Sequence, residues 1–174
     1  MSEALILLLR AVNVGGTGKL PMSDLKAMCE AAGGEQVRTY IASGNVVLRS
    51  PRPGEALRSD LEARLAEATG APIKVLMRTL AELETVLAEN PFTDTDPART
   101  LVCFLEGPPP ADVCDAVRHR RDEEISPGRR ELYMHYPSGI GTSKLVVPAA
   151  KTGTGRNLNT VRKLAAMAAG LAGG

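Results

Sequence analysis

The sequence predicts an α+β fold in which a small set of strands and helices is laid down twice. Three observations carry that prediction. Ala4-Leu5-Ile6-Leu7-Leu8-Leu9 is a continuous apolar run of strand length, as a central strand buried on both faces requires. Residues 39–48 place two β-rich runs around Ser43-Gly44 and read as a hairpin. Apolar residues then recur at helical spacing, at Leu25, Met28 and Cys29 and again at Leu57, Leu61 and Leu65. The resulting order, β-α-β-β-α-β, is the split βαβ or ferredoxin-like arrangement. Both of its helices cover one face of an antiparallel sheet and leave the other face open.

Taken in order, the first strand runs into a glycine-rich loop from Arg10 to Lys19, and Pro21 and Ser23 open a helix that Gly33-Gly34 ends. A two-residue turn at Ser43-Gly44 would set Ile41 opposite Val46 and Thr39 opposite Leu48. Val37, Ile41, Val46 and Leu48 would then face the core, and Arg38, Tyr40, Asn45 and Arg49 the open side. A Pro-Gly turn leads to a helix over 56–68 and a strand over 73–77. Thr79 caps a third helix that reaches about Glu89, with Leu80, Leu83 and Leu87 inward. The proline-punctuated stretch 90–97 is the best linker. It divides the chain into an N-terminal subdomain, 1–90, and a C-terminal one, 91–174, within one compact whole.

The second half reads strand 100–105, a rigid Gly-Pro-Pro-Pro turn, and a helix over 111–120 with Val113 and Val117 inward. A hairpin about Pro127-Gly128, a short helix from Ser143, and a last helix capped by Asn157 or Asn159 complete it. By element order, though not by sequence identity, it is a degenerate repeat of the first half.

A chain of 174 residues with 44% hydrophobic residues has the balance of a soluble globular protein and is not expected to be disordered. Cys29, Cys103 and Cys114 are odd in number and lack metal-ligand spacing, which points to reduced thiols and a cytoplasmic setting. The longest apolar run is too short to cross a bilayer, and no cleavable signal pattern precedes it. The formal net charge of +1 hides an asymmetry. From Pro137 onward there is no Asp or Glu, while Lys144, Lys151, Arg156, Arg162 and Lys163 are all basic; residues 51–136 are acidic by a similar amount. Either the basic end docks on the acidic middle or it faces an anion.

Three stretches could carry chemistry. The glycine loop fails both the P-loop and the G-x-G-x-x-G pattern, since Leu20 follows Gly18-Lys19 and Pro21 stands where a third glycine belongs. Gly15, Gly16 and Gly18 nevertheless expose amides near a helix start, beside Arg10 and Lys19, which suits an anion; the alternative is a plain connection. Around Tyr133 and His135, the chain alternates and then turns through glycines into Ser143-Lys144. His135 is the one plausible general base, or else a structural strand histidine. Arg156-Asn157-Leu158-Asn159 caps a basic terminal helix and explains all but Arg156. No HExxH, paired-cysteine or GxSxG signature occurs, so no metal and no cofactor is expected.

Four segments together resemble the domain-of-unknown-function 1697 family. They are Arg10…Asn13-Val14-Gly15-Gly16…Lys19…Pro21-Met22, Arg38-Thr39-Tyr40-Ile41…Ser43-Gly44-Asn45-Val46-Val47, Leu132-Tyr133…His135-Tyr136-Pro137…Gly139-Ile140-Gly141…Ser143-Lys144-Leu145 and Arg156-Asn157…Asn159-Thr160-Val161. The resemblance spans nearly the whole chain and implies a small bacterial-type protein of two ferredoxin-like subdomains, with no established reaction. The chain departs from the family pattern at Ala11, where a glycine is common, and at Leu158, where an aromatic is common.

The expected function is binding of a small anionic, phosphate-bearing ligand in a cleft between the halves. Arg10, Lys19, Lys144 and Arg156 would supply charge. Asn13, Ser43 and Asn45 would orient the ligand, with Gly15, Gly16, Arg38, His135, Ser143 and Asn157 completing the site. Asn45 has a second role open to it, supporting the hairpin turn from within. The second reading is an RNA- or protein-interaction module using Tyr40 and Tyr133 on an open sheet face. Nucleic acid ranks below a phosphorylated metabolite as a partner, no membrane partner is expected, and the protein is a monomer or homodimer.

Overall fold

The apolar N-terminal run forms the centre of a sheet. In the computed structural model, which describes residues 3–11 and 20–172, chain contacts group into two units. One comprises 1–83 with 164–174, and the other 84–163. The first unit contains β1 (Glu3–Leu9), α1 (Met22–Ala31), β2 (Glu35–Tyr40), β3 (Asn45–Ser50), α2 (Gly54–Thr69) and β4 (Val75–Thr79). Its sheet is antiparallel throughout, in the order β2-β3-β1-β4. With the second unit's strands the described residues form an α+β fold of two four-stranded antiparallel sheets and four α-helices.

Alternation along β1 sends Leu5, Leu7 and Leu9 to one face, where they meet Leu25 and Cys29 of α1 and Leu57, Leu61 and Leu65 of α2 in one core. The three α2 leucines are fully buried and contribute roughly 1.5–3 kcal/mol each. Burial pushes the Cys29 thiol up to about 12, so it packs as a small hydrophobe. Helix α1 ends as its glycines require: Gly33 has φ +106° and the Gly34 amide reaches back to the Cys29 carbonyl at 2.9 Å.

Two expectations are corrected here. The hairpin loop has four residues, 41–44, because Tyr40 pairs with Asn45 and Thr39 with Val46. Ile41 therefore leaves the core; it lies in the turn at φ +51° with half of its surface exposed. The polar face of the hairpin is also not open. Asn45 and Val47 are fully buried, as are Ile6 and Leu8 beside them on β1. Arg49 donates from Nη1 to the Leu171 carbonyl at 2.9 Å, tying the last turn of the C-terminal helix to β3. A segment more than a hundred residues away covers what the local pattern leaves bare.

The second unit contains β5 (Thr100–Phe104), β6 (Glu124–Pro127), β7 (Glu131–His135) and β8 (Thr154–Asn157), in the order β6-β7-β5-β8 and again antiparallel. Helix α3 (Leu80–Ala88) enters it and α4 (Leu158–Ala172) leaves it. Thr79 and Glu82 close the predicted start of α3 reciprocally. The Glu82 amide donates to Thr79 Oγ1 at 3.1 Å, and the Thr79 amide to Glu82 Oε1 at 2.9 Å. The buried stripe of α3 is Leu83 and Val86, with Leu80 and Leu87 half-buried.

Of the three helices expected in the second half, the last forms as α4 and the other two do not. Residues 111–120 make a turn that buries Val113 and continues into a bridge between Arg118 and Val146. Ten residues are marginal for a helix, and this stretch includes β-branched Val113 and Val117 and carries His119 at φ +59°. Ser143 opens no helix either: Pro148 holds Val147 extended, and a 3-10 helix, Pro148–Thr152, takes the place. The strand β8 that follows was not anticipated.

Two tests follow. Ala11 adopts φ +57° on the surface, at the position where the family pattern favours glycine, so Ala11→Gly should raise stability by about 1 kcal/mol in urea unfolding. No gain would mean that the αL geometry at this position costs nothing. Asn45 donates from Nδ2 to the Tyr40 carbonyl and to Ser43 Oγ, each at 2.9 Å, in full burial. Asn45→Asp replaces that donor with a buried acceptor and should cost at least about 2 kcal/mol, more than Asn45→Ala. A neutral Asn45→Asp would show that these bonds do not hold the turn.

Candidate functional site

Of the expected ligand residues, Asn13, Gly15, Gly16 and Lys19 lie outside the described residues. The end of β1 and the hairpin tip meet at one end of the first sheet, where the Leu9 amide donates to the Gly44 carbonyl and the Arg10 amide to the Lys74 carbonyl, both at 2.9 Å. Arg10 and Ser43 stand half-buried at this end. Asn45 turns its amide nitrogen inward to the turn, and Arg38 is exposed on the edge strand β2.

The remaining five belong to the second unit, and four of them are tied into local structure. His135 is half-buried, with Nδ1 3.2 Å from Thr100 Oγ1 and its ring 5.8 Å from that of Phe92. Ser143 Oγ donates to Glu123 Oε2 at 2.6 Å and accepts from the Leu145 amide. Glu123 takes the Arg121 amide as well, at 2.6 Å. These bonds, the serine's first, hold the Glu123 carboxyl below the usual carboxylate range against the opposing effect of its burial. Arg156 is buried and donates from Nη1 to Thr154 Oγ1 at 2.6 Å and to the Gly155 carbonyl at 2.9 Å. Burial pulls its pKa down to about 10, which still leaves it charged at neutral pH. Asn157 Oδ1 accepts the Thr160 amide and so caps α4, as expected. Lys144 is exposed.

A concave site that the sequence reading missed lies in the same unit. Where α1 and α2 roof the first sheet, the second is covered, among the described residues, by the 111–116 turn, the Leu145–Val147 segment and the 3-10 helix. A groove of about 500 Å³ remains. Leu101 and Cys103 of β5, Met134 of β7 and Leu145 and Val147 form much of its wall. Tyr136 adds a buried hydroxyl, 3.7 Å from Met134 Sδ, and at Gly155 of β8 the Leu101 side chain packs into the space where a Cβ would stand. Exposed Arg118 and Lys151 complete it. Reciprocal backbone bonds to Val146, at 2.9 and 2.8 Å, fix the Arg118 main chain. The sequence signal was present in negative form: Leu101, Cys103, Met134 and Tyr136 make an apolar sheet face, and the stretch meant to cover it offers only two valines.

Among the described residues no cluster of His, Cys, Asp and Glu could hold a metal ion, and no helix is long and apolar enough to cross a membrane. The fold and the groove thus define a two-sheet α+β protein with a small-molecule-sized concavity. The family description "Protein of unknown function (DUF1697)" matches residues 2–133, and the chain belongs to that family. Its structure is similar to that of the conserved bacterial protein SP0830 from Streptococcus pneumoniae. The two share 27% identity with a TM-score of 0.79, over 97% of this chain and 99% of that one. Among curated proteins there is no match.

The Glu123 cluster predicts a pH signature. A carboxyl whose pKa is lower folded than unfolded adds stability above its unfolded value, about 4.3, and loses it as pH falls through the folded value. Thermal melts should show Glu123→Gln below the wild type at pH 7, with the gap closing as pH drops below about 4.3. A gap that stays constant down to pH 3 would rule out the ionised carboxylate as its source.

Proposed function

We propose that this protein binds a small organic anion in the groove of its second unit. The observation that carries the reading is the make-up of the groove wall: two cations, Arg118 and Lys151, and no Asp or Glu among its twelve residues. Arg118 combines a fixed main chain with an exposed guanidinium, which can grip a carboxylate or phosphate through two parallel hydrogen bonds. The apolar remainder suits the body of such a ligand, and the volume falls within the usual range for small-molecule sites. We also read the units as two ferredoxin-like subdomains, the second degenerate. In support, both sheets run second, third, first, fourth strand, and only the first keeps both helices of the βαββαβ order.

The RNA-binding alternative finds less support. Tyr133 is buried with its hydroxyl donated to the Val86 carbonyl at 2.8 Å, so its ring is not available for a base to stack on.

The test is a thermal-shift and titration screen of organic carboxylates and phosphorylated metabolites at low and high salt. Ligands should stabilise the protein less as salt rises, and Arg118→Ala or Lys151→Ala should weaken them roughly tenfold. Stabilisation unchanged in the double variant, or absent for every anion, would overturn the proposal.

A further inference from the structure

We infer that the ligand of this groove is an amphipathic monocarboxylate, an acyl or aryl body ending in a single carboxylate, with the body lying across the wall beside Gly155. The inference rests on the anion-binding proposal above and names its ligand class. Three observations lead there. The polar groups on the apolar part of the wall are turned onto their neighbours: the Tyr136 hydroxyl onto Met134 Sδ at 3.7 Å and the Cys103 thiol onto the Ala150 carbonyl at 3.9 Å. A sugar or a polyphosphate laid along that wall would lose its hydration without gaining partners there. Charge recognition is confined to Arg118 and Lys151, which suits one anionic head at one end of the ligand. Among the described residues no aromatic ring other than that of buried Tyr136 lines the groove, so a nucleobase has no exposed stacking platform there, whereas an alkyl or aryl surface needs only apolar contact.

Gly155 makes the class testable. A Cβ at this position would meet Leu101 Cδ2 at 2.8 Å and Cγ at 3.3 Å. These atoms belong to a movable side chain, so the strand can take a larger residue by displacing Leu101 from its place in the wall. Gly155→Val should therefore fill the space meant for the apolar body and leave the cations untouched.

The experiment is an NMR titration of the full chain with acetate, butyrate, hexanoate and octanoate, with octanol and inorganic phosphate as further probes at fixed ionic strength. Affinity should rise roughly tenfold for every two methylenes, with octanol far weaker than octanoate. Gly155→Val should bind acetate as the wild type does and lose the gain with chain length. Val147→Thr, which keeps the shape and adds a hydroxyl to the wall, reads the same loss if Gly155→Val fails to fold. Equal affinity across chain lengths, with Arg118→Ala still weakening them all, overturns this inference and leaves the anion site standing. Octanol binding as tightly as octanoate also overturns it, by removing the need for a carboxylate. Phosphate binding more tightly than octanoate overturns it in favour of a phosphorylated ligand. No binding by any probe overturns this inference, and the anion proposal falls with it only if the wider screen of carboxylates and phosphorylated metabolites is also empty.

Discussion

Burial of β1 on both faces is the constraint from which the first unit follows. Leu5, Ile6, Leu7, Leu8 and Leu9 are each no more than 1% exposed, so both edges of the strand need hydrogen-bonding partners and both faces need apolar cover. Strands β3 and β4 supply the edges. Helices α1 and α2 supply one face through Leu25, Cys29 and the three α2 leucines. On the other face, Ile6, Leu8 and Val47 are as deeply buried. The end of α4 belongs to this unit, buries Leu164, Ala168 and Leu171, and takes Arg49 on the Leu171 carbonyl. The unit is therefore discontinuous in sequence, and its second cover comes from residues 164 onward.

The two units solve the same sheet order with different covers. In the first, sixteen residues of α2 place a leucine on the sheet at every turn. In the second, three prolines precede the 111–120 stretch, and Pro148 interrupts the segment after Ser143, so each place where a helix would lie holds something shorter. Less apolar area is covered there. The groove beside Leu101, Cys103 and Met134 is the geometric result. Concavity here comes from shortened covering elements, and the strands themselves keep the arrangement of the first unit.

This difference also separates what was legible in the sequence from what was not. The strand β1, the α2 stripe, the Thr79 cap, the Asn157 cap and the second hairpin are local patterns in which propensity and periodicity agree. The hairpin register is not legible because Ile41, a β-branched residue that favours strands, sits in the turn at φ +51°. The supposed open face failed because its cover lies 122 residues from Arg49, beyond any local pattern. The groove could not be read because a cavity is the absence of cover, and the sequence showed a helix-like stretch where the chain only turns. Polar residues at motif positions suggest ligand contacts, yet Asn45, Ser143 and Asn157 direct their hydrogen bonds to a turn, a carboxylate and a helix cap respectively.

Arg118 and Arg156 illustrate why exposure decides which cation can meet a ligand. Burial already lowers the Arg156 pKa to about 10, and its guanidinium donates to Thr154 and to the Gly155 carbonyl. Drawing an anion to it would strip the anion of water at a site whose donors are already partly committed. Arg118 has the opposite balance: its backbone is fixed by Val146 while its side chain remains in solvent. A head group bound there keeps part of its hydration, and the larger share of affinity falls to the apolar wall. A site of this kind selects its ligand chiefly by the body that fills the groove and uses charge to set which end points outward.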